Sequence, residues 1–256
     1  MKLQGSVGIV TGSATGTGAA CAIQLARKGC RVVVNYTKSE AEATQTLAAC
    51  TAAGADAISV QGDVARDADC RALAQAALDR WGRIDVLINN AGITKFAAAA
   101  DLDALSADDF QRLYAVNVIG PYQMTRACVP AMKRQAAGAI VNISSIAGIM
   151  GIGSSTAYVA SKGALNAMTL ALARSLAPEI RVNAVCPGLI ETRWHLSRFD
   201  AAGYAKFKAG YEKSVPLGKA ASADDVAEVA LWLVEGAAQV TGESIMVDGG
   251  LHLGRF

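Results

Sequence analysis

Histidine is almost missing from this chain of 256 residues. The two present, His195 and His252, stand far from every cysteine, so no metal site is expected. The six cysteines, Cys21, Cys30, Cys50, Cys70, Cys128 and Cys186, contain no C-x-x-C pair and sit mostly in apolar stretches. They are expected to be reduced, buried and small rather than bridged. A charge excess is also missing. The formal net charge is +2, which leaves no basic face for nucleic acid and no polybasic patch for a membrane surface. No apolar run reaches the roughly 18 residues of a membrane span. The first ten residues enter a strand pattern at once, without a long apolar leader, so the cytoplasm is the expected compartment. Proline is scarce, at 5, whereas glycine numbers 25. That balance suits long helices joined to strands by tight turns.

What is present is alternation. Short apolar, β-branched runs predict strands at Val7–Thr11, Arg31–Asn35, Ala57–Gln61, Ile84–Asn89, Ala139–Ser144, Ile180–Cys186 and Ser244–Val247. Alanine-rich stretches between them predict helices near Gly18–Lys28, Glu40–Ala53, Ala68–Trp81, Ala107–Arg134, Ala157–Leu176 and Ala223–Glu235. Nearly continuous apolar strands are buried on both faces. Strand–helix alternation implies an α/β fold: one Rossmann-type doubly wound domain over 1–256, with a seven-stranded parallel sheet flanked by helices. One long irregular stretch, at about 189–221, follows a strand end. Ligands bind beyond the carboxyl ends of strands in such sheets, so this stretch is expected to be a substrate lid.

Thr11-Gly12-Ser13-Ala14-Thr15-Gly16-Thr17-Gly18 follows the first strand and opens the first helix. Gly12 permits a sharp turn, Gly16 lets backbone approach a pyrophosphate, and Gly18 permits close helix–strand packing. The helix N-terminus then offers free N–H groups to phosphate. Further along come Asn89-Asn90-Ala91-Gly92 at a strand end and Asn117 inside a long helix. Ser144-Ser145 closes the fifth strand, and Tyr158-Val159-Ala160-Ser161-Lys162 follows. The i, i+4 spacing puts Tyr158 and Lys162 on one helix face.

Taken in order, these motifs resemble the short-chain dehydrogenase/reductase family along the whole chain, to Val247-Asp248-Gly249-Gly250 near its end. The pattern looks most like the branch that reduces 3-oxoacyl groups on acyl carrier protein. The resemblance implies an enzyme that moves a hydride between a nicotinamide cofactor and a carbonyl or secondary alcohol, with Asn117, Ser145, Tyr158 and Lys162 as the catalytic set. A free phenol, with pKa near ~10, is a poor acid at neutral pH. A neighbouring cation such as Lys162 would lower that value and let Tyr158 act as acid or base. Ser145 would orient the substrate oxygen, Asn117 would hold a water leading to Lys162, and Lys162 would also bind the nicotinamide ribose. The implied cofactor residues are Gly12, Ser13, Thr15, Gly16, Thr17 and Gly18 on the glycine turn, then Asn35, Tyr36 and Thr37. Asp63 and Val64 follow at the adenine edge, and Asn90, Ala91 and Gly92 along the ribose. Tyr158 and Lys162 themselves, with Pro187, Gly188, Ile190 and Thr192, complete the nicotinamide end.

An acid at the end of the second strand would bind the 2′-hydroxyl of NAD and repel a 2′-phosphate. Asn35 is neutral there, and Thr37, Lys38 and Ser39 follow, which favours NADP(H), with NAD(H) possible. Between Leu189 and Lys213 lie five of the fourteen aromatic residues, Trp194, Phe199, Tyr204, Phe207 and Tyr211, with Arg193, His195, Arg198, Lys206, Lys208 and Lys213. They read as an apolar pocket roofed by a lid, or as amphipathic helices packed on the body. His195 is a loop residue rather than a catalyst, since the tyrosine supplies the acid. The expected substrate is a 3-oxoacyl thioester or small ketone. The alternatives are a sugar, polyol or other secondary alcohol, and a nucleotide sensor without turnover. Small residues at Ala160, Ala164, Ala167 and Ala171 would allow close helix approach between subunits, and a homotetramer is expected.

Overall fold

The computed structural model describes residues 1–195 and 199–254, with His195 described by its main chain only; Arg198, expected in the lid, lies outside the described residues. Seven strands form one parallel sheet: β1 (Val7–Val10), β2 (Arg31–Tyr36), β3 (Ala57–Gln61), β4 (Val86–Asn89), β5 (Gly138–Ile143), β6 (Ile180–Pro187) and β7 (Ser244–Val247). Their spatial order is β3-β2-β1-β4-β5-β6-β7. Strand order reverses beside β1, between β2 and β4, and there a crevice opens at the carboxyl ends. The helices are α1 (Gly16–Arg27), α2 (Glu40–Ala52), α3 (Asp67–Trp81), α4 (Ala107–Tyr114), α5 (Gly120–Arg134), α6 (Ala147–Met150), α7 (Thr156–Leu176), α8 (Ala201–Ser214) and α9 (Ala223–Glu235). No described helix is long and apolar enough to cross a membrane.

Alternation along each strand divides the core into two layers. Val10, Val34, Ile88 and Val141 face one way and pack with Leu25 of α1 and Leu231 of α9. Ile9, Val33, Leu87 and Ile140 face the other and pack with Leu73 of α3, Met124 of α5 and Ala173 of α7. All six cysteines are buried and unpaired, as expected for small apolar side chains.

Two expected elements are corrected. The single helix over Ala107–Arg134 is α4 and α5 joined by a π turn at Ala115–Ile119. Such a turn adds a residue to the ladder and re-aims its side chains, with nothing in local composition to announce it. The stretch 189–221 is not irregular throughout. It contains a 3₁₀ turn at Arg193–His195 and then α8. Asp200 starts α8 by accepting a hydrogen bond from the Gly203 N–H at 2.7 Å, and alanine-rich composition sustains it.

The start of β1 is fixed by one buried acid. Asp85 is 2 % exposed. It accepts hydrogen bonds from the Val7 N–H at 2.8 Å and from Arg83 Nε and NH2 at 2.9 and 2.7 Å. Asp85→Ala would strand the Val7 N–H, at a cost of roughly 1–3 kcal/mol. Urea unfolding should show that loss, with Asp85→Asn less affected because its amide oxygen still accepts.

Candidate active site

The glycine turn between β1 and α1 lies against the end of β4. Gly12 and Gly16 have φ of +60° and +59°, a region that side chains disfavour. A Cβ on Gly12 would lie 2.9 Å from Ala91 Cα, and one on Gly18 would collide with Asn90 Nδ2 and the Gly12 carbonyl. The backbone is therefore bare where it meets both β4 and the cleft. α1 begins without a side-chain cap and without an acid in its first turn. By contrast, α4 and α9 both carry complete capping boxes. The first N–H groups of α1 thus keep their capacity for an anion, and this cradle fits the pyrophosphate of a dinucleotide.

Two asparagines hold the turn in shape. Asn35 Oδ1 accepts from the Gly12 N–H at 2.9 Å, and Asn35 Nδ2 donates to the Gly62 carbonyl at 3.0 Å. Asn90 Nδ2 donates to the carbonyls of Thr11 and Gly12 at 3.0 and 2.9 Å. Ser13 is turned inward as well: its Oγ donates to the Val10 carbonyl at 2.7 Å and accepts from the Asn35 N–H at 2.9 Å. The side chains of Asn35, Ser13 and Asn90 thus brace the turn, and a dinucleotide would meet these positions through other groups. Asn35 and Ser13 are buried, and all three are spent on main-chain partners. Val64 is also buried, with its carbonyl accepting from Gln123 Nε2 at 2.8 Å. Asp63 stands half-buried at the end of β3, with Oδ1 accepting from the Ala65 N–H at 2.9 Å. Thr37 is exposed and Tyr36 half-buried.

A second group converges at the ends of β4 and β5. Ser155 caps α7 by accepting from the Tyr158 N–H at 3.3 Å, and the next helical turns carry Tyr158 and Lys162. Lys162 is 4 % exposed. Its Nζ donates to the Ile143 carbonyl at 2.8 Å and lies 5.7 Å from the centre of the Tyr158 ring. A Cβ on Gly92 would lie 3.5 Å from Asn117 Oδ1 and 3.8 Å from Lys162 Nζ, so Gly92, Asn117 and Lys162 enclose one small space. The π turn buries Asn117. Its Oδ1 accepts from the Ile93 N–H at 2.9 Å, while Nδ2 donates to the Ile93 carbonyl and Ser161 Oγ, both at 3.0 Å. Ser145 Oγ accepts from the Ala147 N–H at 3.1 Å.

Burial governs the ionisation of this group. It pushes the Tyr158 phenol up to about 12, against the opposing pull of a hydrogen bond with Ser145. It pushes the Lys162 ammonium down to about 8. Sequence reasoning expects Lys162 to lower the phenol. Here burial raises the phenol, and the group that opposes it is Ser145 rather than Lys162.

Pro187 and Gly188 end β6, and the Gly188 N–H donates to the Val247 carbonyl at 3.0 Å. Ile190 forms a parallel bridge with Ala221. Tyr211 of α8 accepts from the Leu189 N–H at 3.2 Å and donates to the Asp248 carbonyl at 3.1 Å. Thr192 reaches back to the glycine turn, its Cγ2 3.4 Å from where a Cβ on Gly16 would sit. The Trp194 ring lies 6.2 Å from that of Tyr158, tilted by 56°. Ser155 and Trp194 are contributors that the sequence does not single out. The serine has only the weak signal of standing before a helix, and the tryptophan only that of an aromatic-rich stretch.

The family described as enoyl-(acyl carrier protein) reductase matches residues 12–252. A protein described as ketoacyl reductase 2 of the granaticin polyketide synthase of Streptomyces violaceoruber is 42% identical over 96% of each chain. A 3-oxoacyl-[acyl-carrier-protein] reductase of Synechocystis sp. is 36% identical over 97% of this chain and 98% of its own. A solved structure described as a short-chain dehydrogenase/reductase of Burkholderia xenovorans superimposes with a TM-score of 0.90, at 40% identity, over 97% of this chain and 98% of that one. The chain belongs to the short-chain dehydrogenase/reductase family. It is an oxidoreductase that acts on carbonyl and hydroxyl groups, and its family uses NAD(P)(H).

The inward-facing Asn35 makes a prediction. Asn35→Asp would set a carboxylate against the Gly62 carbonyl, in place of an amide donor. The folded state should lose roughly 1–3 kcal/mol, read by chemical denaturation, with weaker binding of NAD⁺ and NADP⁺ alike.

Proposed function

We propose that this chain reduces 3-oxoacyl thioesters or similar small ketones with NADPH. The observation that carries the reading is the enclosure of Tyr158, Lys162, Asn117 and Ser145 at the mouth of a bare glycine turn. The names of the relatives from polyketide and acyl-carrier chemistry support the substrate class. The bound nicotinamide supplies the hydride.

The chain's own residues handle the proton and the geometry. Ser145 donates a hydrogen bond to the substrate oxygen and fixes the carbonyl beside Tyr158. The Tyr158 hydroxyl then gives its proton to that oxygen as charge develops. Its high intrinsic value keeps it protonated in the resting chain, which suits reduction. Lys162 stabilises the phenolate left behind and binds the nicotinamide ribose. Asn117 acts through its main chain, because its side chain is fully used by Ile93 and Ser161. A π turn frees a main-chain carbonyl from the regular ladder, and that carbonyl would hold the water that returns a proton to Lys162.

On the same reading the chain is a single domain, and 189–221 serves as its lid. Trp194 contributes an apolar wall beside Tyr158. Six buried thiols suit the reducing cytoplasm. Ala167, Leu170 and Ala171 lie exposed along α7, an apolar face that would be covered in a homotetramer. Light scattering at micromolar concentration should return four chain masses; a single chain mass overturns the assembly.

Two kinetic outcomes are expected. Tyr158→Phe should lower kcat by at least ~100-fold while NADP⁺ still binds in calorimetry. Turnover near wild type would remove the tyrosine from the chemistry. For reduction, kcat/KM should be level from neutral pH downward and fall as pH rises through about 8, where Lys162 loses its charge. Tyr158, at about 12, stays protonated across that window. Oxidation should instead gain with pH, since it needs the phenolate. A carbonyl panel with acetoacetyl thioester, simple ketones and sugar lactones, assayed with both cofactors, tests the substrate.

A further inference from the structure

Three consecutive side chains beyond β6 reach three parts of the cleft. Thr192 lies over Gly16 at the glycine turn, and Trp194 lies beside Tyr158. Between them Arg193 points away from the chemistry, toward the turn after β2. Its NH2 donates to Ser39 Oγ at 2.9 Å and its NH1 to Glu42 Oε1 at 2.8 Å. In a dinucleotide-binding sheet the residues at and just beyond the end of the second strand meet the adenosine ribose, and here these are Tyr36-Thr37-Lys38-Ser39, from the last residue of β2 onward. Asn35 is turned inward and contributes no group there.

We propose that Arg193 is the 2′-phosphate ligand of this chain, so that selection of NADP(H) is carried by the segment after β6. The inference rests on the reading of the cleft as a nicotinamide-dinucleotide site. A guanidinium presents five donors in a planar fork that matches phosphate, and the bonds to Ser39 and Glu42 leave others to engage it. Charge-assisted bonds of this kind are roughly twice as strong as neutral ones. Lys38, an exposed and flexible cation, contributes far less. Glu42 opposes a phosphate at this place, and Arg193 offsets that charge by standing against it. Because Thr192 and Trp194 flank Arg193 in the chain, a phosphate held by Arg193 also secures the strap over Gly16 and the indole beside Tyr158.

The test is calorimetric binding of NADP⁺ and NAD⁺ to the full chain. In Arg193→Gln, affinity for NADP⁺ should fall at least tenfold relative to that for NAD⁺. In Glu42→Gln, which removes the repulsion and frees the guanidinium, NADP⁺ should bind severalfold more tightly. Equal weakening of both cofactors in Arg193→Gln, or no change in either, overturns the proposal. So does weaker NADP⁺ binding in Glu42→Gln, the outcome if the ion pair only braces the strap. Turnover separates this inference from the reading beneath it. A wild-type chain that reduces no carbonyl, yet loses NADP⁺ selectively in Arg193→Gln, sinks the reductase and upholds Arg193. Normal turnover with an unchanged cofactor ratio does the opposite.

Discussion

The clamp on the glycine turn is the constraint from which the cleft takes its form. A loop without side chains makes room for a cofactor, but it has no packing of its own to hold it. Here two amides supply the restraint from opposite sides, Asn35 from β2 and Asn90 from the end of β4. A primary amide offers a donor and an acceptor at once. Asn35 uses both, accepting from Gly12 while donating to Gly62. A carboxylate has no donor and an ammonium no acceptor, so neither could do the same without leaving a buried carbonyl or N–H unpaired.

The same economy runs beneath Tyr158 and Lys162. Asn89 Nδ2 donates to Asn142 Oδ1 at 2.9 Å, and Asn142 Nδ2 donates to Thr169 Oγ1 at 2.9 Å, tying β4 and β5 to the middle of α7. Asn117 ties the π turn to Ile93 and Ser161. These neutral amides join strands to helices without adding charge to a space where Lys162 is already short of solvent. An acid among them would hold the ammonium charged and move it away from the range in which it can pass a proton. Gly148 completes the arrangement. A Cβ there would lie 2.5 Å from the Lys162 carbonyl carbon, so the lysine is held by backbone pressed against backbone.

Strands β1, β2, β4, β5 and β6 were legible because strands buried on both faces are nearly apolar throughout, whereas the edge strands β3 and β7 are only partly buried. The Tyr158–Lys162 pair was legible because helical spacing puts i and i+4 on one side. The glycine turn was legible for a similar reason, since only glycine tolerates the positive φ at Gly12 and Gly16. In each case a local rule of geometry leaves its mark on a few consecutive residues. The π turn left no such mark. α8 was legible only as one of two readings, because its aromatics suggest a lid as readily as a packed helix, and it has no fully buried residue among those described to mark a core face.

The sequence by itself determined the fold class and the order of the strands, and it picked out the candidate catalytic side chains. Each follows from short-range periodicity and from residue types whose chemistry has few alternatives. Only the tertiary structure decided which way Asn35 and Ser13 face, how Asn117 is used, and that Arg193 meets Ser39 across more than 150 residues of chain. A side chain's direction at a strand end depends on which donors and acceptors other segments leave unsatisfied nearby, and these are set by packing. The ionisation of Tyr158 and Lys162 was decided the same way. Chain spacing made them neighbours, but the surrounding layers removed the water that would have kept their ordinary values.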